Sequence, residues 1–491
     1  MSLKFSVLTA TTLVLVGVPT GAARADDGHG EPTGTPGAPG IGDPYFPLDG
    51  NGGYDVRHYD LDVTYDPSSD VLTGIATIEA EATQDLSSFD LDLTGLDVRS
   101  VTVDGDEAAW TREGQELTIT PEDDLRGGKT FTTVVSYDGV PQTIEDAFGL
   151  SGFMPTDDGA IVAGQPHGAA TWFPANDHPR DAASVSVTAT VPEGLEAISN
   201  GVLEDQDTQD GWTTWSWDAT EPMATYLVTL AIGEFDVHDY RADGVRYWDA
   251  LDPDLFGLES APETGAPSVG KIATDSLARQ PEMIDFLSGI FGEYPFRTAG
   301  GIVDDLPEFQ FALETQTRPI YASVFFTDPV GGDLVVAHEL AHQWTGDLLR
   351  IDAWQHIWLN EGFAQYVEWL WLEREGLSTP QDEVDQIAAN APPEFWQTTI
   401  GDPGAATEQL FDIAVYLRGA MTLQALRTSV GDDDFFDIVR EWVASQAGGT
   451  VTTDEFVALA EKESGMQLDD LFRTWLFTPE KPAGLRDGVT S

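Results

Sequence analysis

A change of period partway along the chain limits its possible folds more than any other feature. From Tyr45 to about Val237, apolar and polar residues alternate. "HYDLDVTYD" puts Tyr59, Leu61, Val63 and Tyr65 on one face, and "FDLDLTG" does the same with Phe89, Leu91 and Leu93. This is the two-residue repeat of strands with one buried face. "RSVTVDGDEAAWTREGQELTIT" reads as strand, Asp-Gly turn, strand, turn, strand. "SVSVTATVP" and "YLVTLAIGEF" continue the pattern. Short strands with almost no helical stretch predict an antiparallel β-sheet domain, a sandwich or open saddle.

Beyond about residue 260 the repeat lengthens. "SVGKIATDSLARQPEMIDFLSGIFGEYPF" is helix-like, with Pro281 as a break, and "GGIVDDLPEFQFALETQTRPIYA" returns to strand. Helices are then predicted over Asp333–Leu348, Ile357–Glu375, a segment opened by Thr379-Pro380, Ala414–Ser429, Asp432–Ala447 and Thr453–Ser464. The expected fold class is α+β and multidomain: an N-terminal β domain over residues 45–237, a mixed and largely helical domain over 238–480, and a tail over 481–491.

The start of the chain reads differently. Lys4, an apolar stretch from Phe5 to Val18, and Ala23-Arg24-Ala25 form the pattern of a secretory signal peptide over residues 1–25. The apolar run is too short to span a bilayer, so a soluble, secreted protein without a membrane span is expected. Residues 26–44, rich in Gly, Pro and Asp, read as a flexible leader. Cysteine is absent, which removes thiolate ligands and cysteine nucleophiles. Lys and Arg number 23 against 85 Asp and Glu, so phosphate would be repelled and a nucleic-acid partner is excluded. The acidic excess reads as a solvated surface. The sequence leaves the oligomeric state open.

The chemistry is concentrated in "VVAHELAHQWTGDLLRIDAWQHIWLNEGFAQY", Val335 to Tyr366. His338 and His342, four apart on a helix, point the same way and can reach one ion. Glu339, turned away by about 100°, can hold a water on that ion without ligating it. Zinc needs a third protein ligand and an open fourth position. Glu361 supplies the third, on the next helix, with 18 residues between it and His342. The cofactor expected is a single Zn2+. His356 falls between these ligands, but a fourth protein ligand would close the open position, so it is read as structural.

"HELAHQW", the gap and "WLNEGFA" closely resemble the gluzincin zinc peptidases, specifically the aminopeptidase N family. "FALETQTRP" stands where that family has a Gly-Ala-Met-Glu-Asn strand, and "VYLRGAMTLQALR" resembles its catalytic-tyrosine helix. "GQPHGAATWFPANDHP" is similar to its Gln-containing segment, and "YDVRHYDLDVTYDP" to its opening strand. The resemblance implies a thermolysin-like zincin catalytic domain after the β domain. It also implies peptide substrates with a free N-terminus, Tyr416 as catalytic hydrogen-bond donor and Gln165 as a contact to the N-terminal residue. This chain departs from the family at Phe311-Ala312-Leu313, Thr315, Ala175, Thr345 and Asp347.

A thermolysin-like zinc endopeptidase would share the motif. What distinguishes an aminopeptidase is a carboxylate beside the metal that pairs with the substrate's α-ammonium. Glu314 fits that role, on a segment that alternates like an edge strand able to grip an extended peptide. In the resembling family this glutamate binds the amine. Glu339 would then be the general base. The alternatives at this level are an endopeptidase and a non-catalytic peptide-binding module.

Overall fold

The computed structural model describes residues 34–146, 149–260, 265–404, 406–483 and 485; the expected signal peptide lies outside them. An eight-stranded sheet dominates the N-terminal part. Its spatial order is Val202–Gln209, Trp212–Ala224, Ala182–Pro192, Tyr54–Asp66, Val71–Ala82, Thr130–Gly139, Asp97–Val103 and Asp106–Glu107. Neighbours run antiparallel, except that Ala182–Pro192 runs parallel to Tyr54–Asp66. The alternation expected for Tyr59, Leu61, Val63 and Tyr65 is present, all four being buried. The Asp-Gly turn forms at Asp104 and Gly105, both with positive φ, the conformation a two-residue hairpin requires.

Two smaller sheets pack against the large one. Tyr54 meets Phe89, from a sheet containing Leu86–Asp92 and Glu116–Thr120, with ring centroids 5.5 Å apart. Tyr65 meets Phe153, from a sheet containing Gly149–Pro155 and Ala160–Ala163, at 5.1 Å. The segment "YLVTLAIGEF" is only partly strand: Thr225–Leu227 is a 3-10 turn and pairing resumes at Leu230–Gly233.

A new sheet begins at Asp236, in the order Asp236–Ala242, Val245–Leu251, Thr298–Asp304, Ile320–Ala322, Ala312–Leu313. Helices α1 (Val269–Leu277) and α2 (Gln280–Phe291) follow its second strand, and Pro281 sits in the first turn of α2 rather than inside a longer helix. Then come α3 (Pro329–His342), α4 (Trp358–Glu375), α5 (Pro380–Asn390), α6 (Thr407–Leu410), α7 (Ile413–Val430), α8 (Asp432–Gln446), α9 (Thr453–Ser464) and α10 (Asp469–Phe472). Among the described residues no helix is long and apolar enough to cross a membrane.

Two expectations need correcting. The helix predicted over Asp333–Leu348 is α3, which starts earlier and ends at His342. Asp328 accepts the N–H groups of Val330 and Gly331, and Pro329 occupies the first turn, so this cap starts the helix ahead of Gly331 and Gly332. At the other end the chain leaves the helix through Gly346, with φ +151. Residues 34–44, expected to be part of a flexible leader, are tied down. Thr35–Pro36 pairs with the strand at Leu86. Asp43 is buried, accepting the N–H of Trp354 at 2.9 Å and lying 3.1 Å from His178 Nε2. It thus bridges the β domain to the loop between α3 and α4.

A candidate metal centre at the domain junction

Helix α3 supplies His338, Glu339 and His342, and α4 supplies Glu361 from its first turn. All four are buried. Glu361 Oε2 lies 3.4 Å from Nε2 of His338 and 3.4 Å from Nε2 of His342. Ligands 2.0–2.1 Å from a tetrahedral zinc stand about 3.3 Å apart, so this spacing fits the ion. The other ring nitrogens are committed elsewhere. His342 Nδ1 lies 3.0 Å from the carbonyl of Thr345; a carbonyl can only accept, so Nδ1 carries the hydrogen and Nε2 keeps its lone pair. His338 Nδ1 lies 2.7 Å from Glu368 Oε1, an arrangement that orients the ring in the same way.

Electrostatics follows from the crowding of acids. Burial resists charging of His338, but the carboxylates of Glu361 and Glu368 outweigh it and raise its pKa well above the ordinary value. Despite burial, His342 and His338 hold Glu361 below the usual carboxylate range. Burial pushes Glu339 up to about 8, and Glu314 and Glu361 add to the push. A cation at the three-ligand position reverses this, favouring the carboxylate.

The predicted substrate-binding and hydrogen-bonding residues converge on the same cleft, of about 450 Å3, lined by Gln165, Glu314, Glu339 and Tyr416 together with the ligands. Glu314 follows the edge strand Ala312–Leu313, and its donor atom lies within 4.8 Å of those of Glu339 and His342. Its Oε1 accepts the hydroxyl of Tyr226 at 2.8 Å and the amide of Gln165 at 3.3 Å. Burial raises the Glu314 pKa while His342 opposes it. Tyr416, from α7, stacks near His338 with ring centroids 6.1 Å apart. Loss of water around its phenol and the nearby carboxylates of Glu361, Glu314 and Glu339 raise its pKa well above the ordinary value, so it stays a neutral donor. His356 stands apart from the ligand group and meets Thr453 Oγ1 at 3.0 Å.

Three participants escaped the sequence reading. Glu368 lies two turns beyond Glu361 on α4, so helical spacing could have flagged it. Tyr226 comes from the β domain, more than 80 positions before Glu314, with no local signal. Gln343 follows His342 directly and reads as an ordinary polar residue. Of the departures, Ala175 is fully buried. Asp347 is also fully buried, and neither carboxylate oxygen has a hydrogen-bond partner. Burial, with Glu314 and Glu339 nearby, drives its pKa well up.

Residues 56–227 match the Peptidase M1 N-terminal domain and residues 332–475 the Peptidase family M1 domain. Aminopeptidase M1 of Arabidopsis thaliana is 27% identical over 352 residues, 67% of this chain and 38% of that protein. Aminopeptidase M1-A of Oryza sativa subsp. japonica is 25% identical over 452 residues, 85% of this chain and 50% of that protein. The chain therefore spans half or less of the length of these curated relatives. Among solved structures, an M1 zinc metallopeptidase mutant of Deinococcus radiodurans bound to Tyr-Ser-Ala substrate superposes with a TM-score of 0.78 at 29% identity, covering 92% of this chain and 100% of that one. With both domains matched in order and a superposition that covers 92% of the chain on an M1 zinc metallopeptidase, this chain belongs to peptidase family M1.

Proposed function

We propose that the protein is a secreted, zinc-dependent aminopeptidase that removes residues one at a time from the N-terminus of peptides. The observation that carries this reading is the position of Glu314: a buried carboxylate within 4.8 Å of the donor atoms of Glu339 and His342. A peptide whose carbonyl reaches the metal position has room for one residue before its α-ammonium meets Glu314, and an ammonium–carboxylate pair in so dry a site is a strong hydrogen bond. The aminopeptidase relatives support the same direction of attack.

His338, His342 and Glu361 would hold the ion. Zinc held there would supply Lewis-acid chemistry, bringing the pKa of water from about 15.7 toward about 7. Glu339 takes the water's proton as general base and passes it to the leaving amine. The Tyr416 hydroxyl donates to the carbonyl oxygen as negative charge develops on it. Glu314 and Gln165 hold the ammonium and the first residue in register. Export rests on residues 1–25; N-terminal sequencing of secreted protein beginning at Asp26 supports it, and retention of that segment in the cell counts against it.

The deciding experiment is mass spectrometry of one peptide offered with a free and with an acetylated N-terminus, each with and without a chelator. Stepwise shortening of the free peptide alone, stopped by the chelator, supports a zinc aminopeptidase. Internal cuts in both peptides would make it an endopeptidase, and binding without cleavage would make it a peptide-binding module.

A further inference from the structure

We infer that Gln343 is the positioning residue that sets the spacing between the amine-anchoring carboxylate and the metal-binding helix. This rests on the aminopeptidase reading for its consequence, though not for its geometry. Gln343 is fully buried at the C-terminal end of α3, directly after His342. Its Oε1 accepts the N–H of Thr317 at 2.8 Å, and its Nε2 donates to the carbonyl of Glu314 at 3.1 Å. Among the described residues, these are the side-chain hydrogen bonds that join the 314–318 loop to α3. One amide uses both its donor and its acceptor to span the two ends of the loop, which no carboxylate or apolar side chain of the same length can do.

The loop itself needs such a hold. Thr317 is β-branched yet has φ +65, a conformation that persists only where the surroundings over-determine it. From the β domain, Gly201 N–H donates to Thr317 Oγ1 at 2.8 Å and Asn200 Nδ2 to the carbonyl of Gln316 at 2.7 Å. Arg318 reaches back to the carbonyl of Gly201 at 2.9 Å, and Tyr226 and Gln165 hold the Glu314 carboxylate. The amine anchor is therefore suspended from the β domain, and Gln343 is the strut that locates it relative to His338 and His342. The length of that strut decides that a single residue fits between ammonium and metal.

The test uses the full, zinc-loaded chain and two variants, Gln343→Met and Gln343→Glu. Methionine removes both bonds; glutamate keeps an acceptor for Thr317 N–H but loses the donor to Glu314. Hydrogen exchange should show the Thr317 amide at least about tenfold faster in Gln343→Met and close to wild type in Gln343→Glu. With leucine p-nitroanilide, KM should rise about tenfold in both, with kcat within about threefold of wild type and zinc content unchanged, because the anchor has moved while the ligands have not. Unchanged exchange at Thr317 in Gln343→Met, or a joint loss of kcat and zinc in both variants, would overturn the inference. Were the wild-type chain inactive on this substrate, the aminopeptidase reading would fail by itself, and the exchange at Thr317 would still decide whether Gln343 holds the loop.

Discussion

At the scale of single residues, the proposed function separates groups that would hold the ion from groups that would act on the substrate. Glu339 is outside the His338, His342 and Glu361 group, so Glu339→Gln should lower kcat by about 10²–10⁴-fold while leaving zinc content intact; turnover measured beside metal analysis checks both halves. Tyr416→Phe removes one donor and should lower kcat by about 10²–10³-fold with little change in KM. A wild-type kcat in this variant would dismiss the tyrosine from its role. His338 and His342 were legible in the sequence because a helix converts a spacing of four into a shared direction, and Glu339 because one step along the same helix turns it away from them. Tyr226 was not, because its closeness to Glu314 is created by the contact between two domains.

At the scale of elements, the crossing of α4 and α7 brings Tyr416 beside His338. The two helices touch at glycines: a Cβ on Gly362 would stand 2.9 Å from the Cα of Gly419, and one on Gly419 would stand 2.7 Å from the Cα of Gly362. Glu361 is next to the first glycine and Tyr416 one turn before the second. Gly419→Ala should therefore force the helices apart, destabilising the fold by about 1–3 kcal/mol and lowering kcat as Tyr416 retreats from His338. Denaturant unfolding together with kinetics tests this, and a variant with unaltered stability would show that the crossing has slack. The helices α4 and α7 were readable from their period, whereas their point of contact was not: Gly362 and Gly419 lie on different helices and nothing local marks them as partners.

At the scale of the whole molecule, several acids are buried where loss of water outweighs the groups that favour their charge. Burial raises Asp177 to about 6, Asp249 to about 7 and Asp304 to about 8. In the unfolded chain they titrate near about 3.9. The folded state thus keeps protons that the unfolded state releases. Their stabilising contribution is full below the unfolded pKa and is lost as pH rises through about 6 to 8. Tm at fixed salt should fall between about pH 5 and pH 8, and Asp304→Asn should flatten the decline; scanning calorimetry measures both. Asp43 has the opposite sign. Against burial, the hydrogen bonds from His178 and the Trp354, Phe46 and Tyr45 amides lower its pKa, so its contribution is lost only as pH falls through that lowered value, outside this window.

Alternation and helical period, read along the chain, determined the β domain, the helical domain and the shared direction of His338 and His342, to which the Glu361 candidate was added from the next helix. These are local patterns, since a strand or a helix turns spacing directly into direction. The strand-like alternation around Glu314, with the family resemblance, also made the anchor candidate visible. Only the tertiary structure decided where that anchor stands. Its carboxylate is held by Tyr226 and Gln165 and its backbone by Gln343, and residues 34–44 are locked through Asp43. Such contacts join segments from 29 to 311 positions apart, and they arise when folding brings those segments together and must satisfy every polar group caught between them.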